Sequence, residues 1–169
     1  VNNTVFNHYF AGLFQFAYVT NDIEQAKEQF AQQYGISKFL TLPESVGSEV
    51  YRHGKQVTNK LKLAFANVNN NQIELIEPVA DGSGIYAEVL PDSGFALVFH
   101  HVACRHHSRE EWDSFRAGLD EAIHPIAIES ASGPTRFLYL DERKTLGHYL
   151  EYMWLDPESA ALFASIPNN

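Results

Sequence analysis

The sequence has a single cysteine, Cys104, in 169 residues. That excludes an internal disulfide and any multi-cysteine zinc or iron–sulfur site. Basic side chains are scarce: 12 Lys and Arg stand against 21 Asp and Glu, a formal charge of −9. So acidic a chain repels phosphate backbones and anionic lipid, which argues against nucleic-acid and membrane-surface partners. No run approaches the roughly 18–20 apolar residues of a membrane span. The opening Val1-Asn2-Asn3-Thr4 has neither the basic patch nor the apolar core of a signal peptide. These absences make a reduced, cytoplasmic setting the expectation.

What is present is ordinary for a globular domain: 45% apolar and 20% charged residues. A chain of this length buries roughly 70% of its unfolded surface without a staple. Its organisation shows in an internal repeat. Phe14-Gln15-Phe16-Ala17-Tyr18-Val19 leads through Asn21-Asp22 into a helical run ending at Tyr34. His100-His101-Val102-Ala103-Cys104-Arg105 leads through Ser108 into a helical run ending at about Ile123. The two align Gln15 with His101 and Asp22 with Ser108. Both latter residues can cap a helix, and Ser108 to Glu111 fits a capping box. Ile23, Ala26, Phe30 and Tyr34 follow helical spacing, as do Trp112, Phe115 and Leu119 less regularly, and Gly35 is a stop signal.

Strand-like runs follow each helix, at 37–42, 57–67 and 71–77, then at 125–129, 135–140 and 147–154. Asn69-Asn70-Asn71 and Asp141-Glu142-Arg143-Lys144 mark turns. Each half reads β-α-β-β-β. The expected class is α+β: two tandem βαβββ modules, 10–78 and 97–155, joined by a linker at 79–96. Their sheets would pair into a curved, mixed-sheet cup. A tail over 156–169 would form a short helix.

Alternation along strands puts Gln15 opposite Phe14 and Phe16, Glu74 opposite Ile73 and Leu75, His101 opposite Val102, and Glu151 opposite Leu150 and Tyr152. Packing against helices accounts for the apolar faces but not for these four polar residues. Brought together in the cup, one imidazole nitrogen and three oxygens would suit a divalent ion, with positions left for substrate. Such an ion can polarise a carbonyl and stabilise an enolate. It would also offset carboxylates whose burial is otherwise costly. Solvated or structural roles for each residue separately are the competing reading.

The stretches Gln15–Asp22, Ile73-Glu-Leu-Ile-Glu-Pro78, His100-His-Val-Ala103 and Gly147-His-Tyr-Leu-Glu-Tyr152 resemble the vicinal oxygen chelate superfamily. That group includes glyoxalase I, methylmalonyl-CoA epimerase, extradiol dioxygenases and antibiotic-resistance proteins. The resemblance implies a metal set of Gln15, Glu74, His101 and Glu151, holding Zn, Co, Ni, Mn or Mg, and a homodimer. Gln15 departs from the two-histidine iron triad of the dioxygenases. Val19 and Pro78 stand where glutathione-using glyoxalases carry Arg and Asn, and a full ligand set departs from the resistance proteins. The implied reaction is that of an isomerase or epimerase: proton abstraction next to a metal-bound carbonyl, through an enolate. Alternatives are a glyoxalase-type lyase on a thiol adduct and a non-catalytic protein that sequesters an apolar ligand. Substrates would be an acyl thioester, a 2-oxo or hydroxy carbonyl compound, or an apolar ring-bearing molecule.

In this reading Glu151 is both ligand and catalytic base. Glu49, in a loop at 43–55, is the candidate second base, with Glu44 its competitor. Arg105 shares the face of His101 and could meet a carboxylate or phosphate on the substrate. His100 should point to the opposite face from His101, as a packing or interface residue. His148 should point away from the metal, His106 and His107 should be exposed, and Cys104 should lie in the helix-facing core.

Overall fold

The computed structural model describes residues 12–130 and 133–169. Residues 10 and 11 of the expected first module, and the Val1–Thr4 stretch, lie outside the described residues. The elements are β1 (Leu13–Thr20), α1 (Ile23–Tyr34), β2 (Leu40–Arg52), β3 (Lys55–Val68), β4 (Asn71–Asp81), β5 (Leu97–Arg105), α2 (Arg109–Gly118), β6 (Ile126–Ser130), β7 (Thr135–Leu140), β8 (Tyr149–Leu155) and α3 (Pro157–Ala164).

Both long helices begin as their caps dictate. Asp22 accepts from the Gln25 amide, and Gly35 closes α1 in the left-handed conformation (φ 73°) that a side chain disfavours. Ser108 and Glu111 form the reciprocal capping box of α2. This helix stops at Gly118 rather than near Ile123. Residues 119–125 turn instead, and the Ile123 and His124 amides donate back to the Asp120 carbonyl.

The strands form one closed barrel in the order β1-β4-β3-β2-β6-β7-β8-β5. Each half contributes four neighbours, with a single parallel pair in each: β1 with β4, and β5 with β8. The halves join along two antiparallel seams. The β1–β5 seam is long, whereas β2 and β6 share one register pair, Tyr51 with Glu129. The expected cup is therefore closed into a barrel.

The region 43–52 is strand, not loop. Pro43 and Gly47 punctuate the sequence there, but register shifts between Leu42 and Ser45 and between Gly47 and Val50 absorb them. The β2–β3 hairpin turns at His53 and Gly54, both with positive φ. β4 likewise runs on to Asp81, three residues into the expected linker.

Alternation sorts the side chains into three clusters. Ile23, Ala26 and Phe30 of α1 pack on Ala64 and Leu75 outside the barrel. Trp112 and Phe115 of α2 pack on Val102, Cys104, Leu150 and Tyr152, also outside. Burying each such large side chain contributes about 1.5–3 kcal/mol. Ala17, Val19, Ile76, Tyr86, Tyr139 and Tyr149 belong to the third cluster, in the barrel interior. Cys104 is in the α2-facing core as expected, and burial pushes its thiol up to about 12. His106 is a correction: it is buried, stacked on Tyr152 and tilted over Phe115, while His107 is exposed. An imidazole edge-to-face with Trp112 fits an aromatic core as readily as a surface.

Candidate metal centre

Two alanines make room for the site. Ala17 of β1 lies in register between Glu74 on β4 and His101 on β5. Ala103 of β5 lies between Gln15 on β1 and Glu151 on β8. Both are fully buried, so four long polar side chains flank two methyl groups on the interior wall. Gln15, Glu74, His101 and Glu151 are themselves buried, none more than 7% exposed.

His101 Nε2 stands 3.1 Å from Glu151 Oε2 and 3.6 Å from Glu74 Oε2. One ligand atom from each of these residues falls within 4.8 Å of the others. Glu151 Oε2 and Gln15 Oε1 are buried without a hydrogen-bond partner.

Two relays fix which atoms point inward. The Ile85 carbonyl can only accept, and His100 Nε2 lies 3.0 Å from it. His100 therefore carries its proton on Nε2 and offers the Nδ1 lone pair to His101 Nδ1, 2.9 Å away. His101 then donates from Nδ1, and its Nε2 faces the two carboxylates. The second relay ends on the Ile166 carbonyl. Asn67 Nδ2 donates to that carbonyl (3.1 Å), Gln72 Nε2 to Asn67 Oδ1 (3.2 Å), and Gln15 Nε2 to Gln72 Oε1 (2.8 Å). The amide oxygen of Gln15 is left as the free end. The oxygens of Gln15, Glu74 and Glu151 thus lie with His101 Nε2 on the interior face, and a positive charge there, a proton on His101 or a divalent ion in its place, offsets the two carboxylates. Three oxygens and one imidazole nitrogen fit a hard or borderline divalent ion.

Without a metal ion, a proton on His101 supplies the positive charge. Burial lowers the His101 pKa, but Glu151 and Glu74 outweigh it and push it up to about 9. Burial raises Glu151, partly offset by His101. Burial and the neighbouring His101 push His100 down to about 3, so its ring stays neutral.

His100 is a correction to the sequence reading. A bulge in β5 pairs Ala17 with His101 and Tyr18 with Phe99, leaving His100 as the extra residue. It turns into the interior beside His101 and stacks on Tyr86. Simple alternation could not reveal this. Sequence reasoning also missed Tyr139 and Tyr86. The Tyr139 hydroxyl is 3.4 Å from His101 Nε2, and the Tyr86 hydroxyl donates to it at 3.3 Å. Burial holds both phenols well above their ordinary pKa.

Glu74 and Glu151 line an interior cavity of about 310 Å³, together with Tyr86, Tyr139, Phe137 and Met153. The structure does not bring Glu49 to this cluster. Glu49 is exposed, and its neighbour Val50 is the residue packed inside. Glu44 is exposed and paired with Lys60. Arg105 lies at the end of β5 and lines a different cavity of about 500 Å³ against α2, with His106 and Phe115. His148 is off the cluster as expected: its ring contacts Phe99, and its Nδ1 lies 2.6 Å from the Tyr149 carbonyl oxygen. Among the described residues no helix is long and apolar enough to cross a membrane.

No family model matches the chain, and no curated protein matches its sequence. Solved structures do match its fold. Methylmalonyl-CoA epimerase from Mycobacterium tuberculosis superposes with a TM-score of 0.56 at 17% identity, over 89% of this chain and 91% of that one. A Streptomyces coelicolor methylmalonyl-CoA epimerase in complex with 2-nitronate-propionyl-CoA gives 0.54 at 17% identity, over 86% and 95%. A hypothetical protein from Bacillus halodurans gives 0.53 at 17% identity, over 84% and 92%. The chain shares its mixed α+β fold with these proteins.

Proposed function

We propose that the protein is a divalent-metal-dependent isomerase or epimerase that moves a proton on the carbon beside a carbonyl. The observation that carries this reading is the convergence of His101, Glu74 and Glu151 within 4.8 Å, walled by a cavity large enough for a small molecule. Gln15, Glu74, His101 and Glu151 would hold a Zn, Co, Ni, Mn or Mg ion. The ion would polarise the substrate carbonyl and make the adjacent C–H more acidic. The epimerase neighbours support the reaction class.

The chain's own residues then divide the work. Glu151 removes the proton and returns it at the neighbouring carbon or, for an epimerisation, to the other face once the enolate has turned in the cavity, since its carboxylate lines the cavity and burial raises its affinity for a proton. Tyr139 keeps its hydroxyl proton and donates a hydrogen bond to the oxygen on which charge develops. The apolar wall of Ile76, Phe137 and Met153 keeps water from the carbanionic carbon.

Metal analysis and solvent-deuterium exchange test the reading. The purified protein should retain, or take up, about one divalent ion per chain. Ion-loaded protein should catalyse deuterium incorporation into candidate carbonyl compounds, and Glu151→Gln should lower that rate by about 10²–10⁴-fold. A protein that takes up none of Zn, Co, Ni or Mn would instead be a sequestering protein.

A further inference from the structure

Part of the wall of the cavity that holds the acidic cluster comes from α3. Ser159, Leu162 and Phe163 of α3 line the same 310 Å³ cavity as Glu74 and Glu151. Phe163 packs on Phe65 of β3, ring centroids 5.4 Å apart. Thr135 donates to the Ser159 hydroxyl at 3.4 Å. The helix starts on its own cap, with Asp156 accepting from the Ser159 amide at 2.8 Å.

Beyond the helix, the tail is tied down at several points. The Asn67 amide donates to the Pro167 carbonyl (2.9 Å), and the Asn169 amide donates to the Asn67 carbonyl (3.0 Å). The Ser37 and Lys38 amides donate to Asn169 Oδ1 at 2.9 and 2.8 Å. The Asn69 amide donates to Asn168 Oδ1 at 3.1 Å. Ile166, between helix and tail, is buried. These bonds anchor α3 to β3 and to the α1–β2 connection, so it is a fixed wall.

That wall sets both size and charge. About 310 Å³ is near the small end of ligand cavities, which run roughly 300–1,000 Å³. Among the described lining residues the charged groups are Glu74 and Glu151, both acidic. A divalent ion would neutralise those two carboxylates and leave nothing to balance a third negative charge. A substrate carboxylate or phosphate entering this apolar space would be buried unpaired, which is strongly unfavourable. Leu61, Leu63, Phe65, Phe137, Leu162 and Phe163 instead offer contact to a ring or aliphatic group.

We infer that the site takes a small, uncharged carbonyl compound bearing an apolar group, and that Leu162 and Phe163 of α3 determine this specificity. The inference rests on the metal-dependent reading for the chemistry, but not for the selectivity. It separates this chain from its epimerase neighbours, one of which is bound to a charged acyl-CoA analogue.

The test is calorimetric titration of the zinc-loaded full chain with three probes: 2-hydroxyacetophenone, its ring-carboxylated counterpart 4-(hydroxyacetyl)benzoate, and methylmalonyl-CoA. The uncharged ketone should bind at least tenfold tighter than either anion. Phe163→Ala should weaken it at least fivefold with the zinc content unchanged. Leu162→Ala, at a position 42% exposed and so tolerant of truncation, should weaken it in the same direction. Equal or tighter binding of either anion, no binding of the ketone, or an unchanged affinity in both variants would overturn the inference. If the chain retains no zinc, the metal-dependent reading fails by itself. The same titration on ion-free protein then decides the selectivity, because the apolar wall that disfavours an anion is there with or without the ion.

Discussion

His100 and His101 are held to each other through their Nδ1 atoms, 2.9 Å apart, although neighbours on a regular strand point to opposite faces. The β5 bulge brings them together, and the Ile85 carbonyl at the far side of His100 fixes the direction of the proton relay. His100 therefore orients His101 and turns its Nε2 toward the two carboxylates.

Removing that support should loosen the site without unfolding the barrel. His100→Phe, which keeps a ring in contact with Tyr86, should weaken zinc binding by about 10–100-fold. His100→Asn, which restores an acceptor, should recover part of the loss. Chelator competition measures the affinity, and the visible spectrum of the cobalt-loaded protein reports the His101 geometry. An unchanged affinity and spectrum in His100→Phe would show that His101 orients itself.

Metal uptake should depend on pH through His101. In the ion-free protein Glu151 and Glu74, acting against burial, hold the His101 proton up to about 9. A divalent ion must displace that proton, so zinc affinity should rise about tenfold per pH unit and level off near that value. The folded-state pKa lies above the free value of about 6.5. The stability it contributes to ion-free protein is thus complete below about 6.5 and fades as pH rises through about 9. Burial also raises Glu151, which adds in the same direction. Thermal melts of ion-free protein should therefore fall with rising pH, while zinc-loaded melts should not. A pH-independent zinc affinity would refute the displacement.

Glu49→Gln should leave deuterium exchange within about twofold of the unmodified protein, the range of an ordinary surface substitution. Glu49 is exposed on the strand whose neighbouring Val50 faces inward. A hundredfold loss would instead require β2 to rearrange when substrate binds.

Phe115 anchors α2. It is 6% exposed and lies against Tyr152 at 4.3 Å and His106 at 4.8 Å between ring centroids. Phe115→Ala should destabilise the fold by about 3–5 kcal/mol, read from urea denaturation. A loss under 1 kcal/mol would mean that the aromatic cluster closes over the gap.

The helices, their caps and the inward faces of the strands were legible because each depends on local spacing. Asp22, Ser108 and Gly35 act within one turn of backbone. Gln15, Glu74, His101 and Glu151 each stand on a strand whose alternation has a fixed period. Three features were not legible, for one shared reason. The β5 bulge that turns His100 inward, the register shifts that carry β2 through Pro43 and Gly47, and the placement of Tyr139 beside His101 all depend on the partner strand.

The sequence by itself determined the two βαβββ modules, the helix boundaries at their amino ends, and which polar residues share the apolar interior face. Only the tertiary structure decided that the cup closes into a barrel and that α3 crosses to wall the cavity. It alone also decided that Glu49 and Arg105 stand apart from the acidic cluster. Side-chain direction follows from local backbone period, whereas distance between strands is set by pairing register and closure, which no single segment encodes.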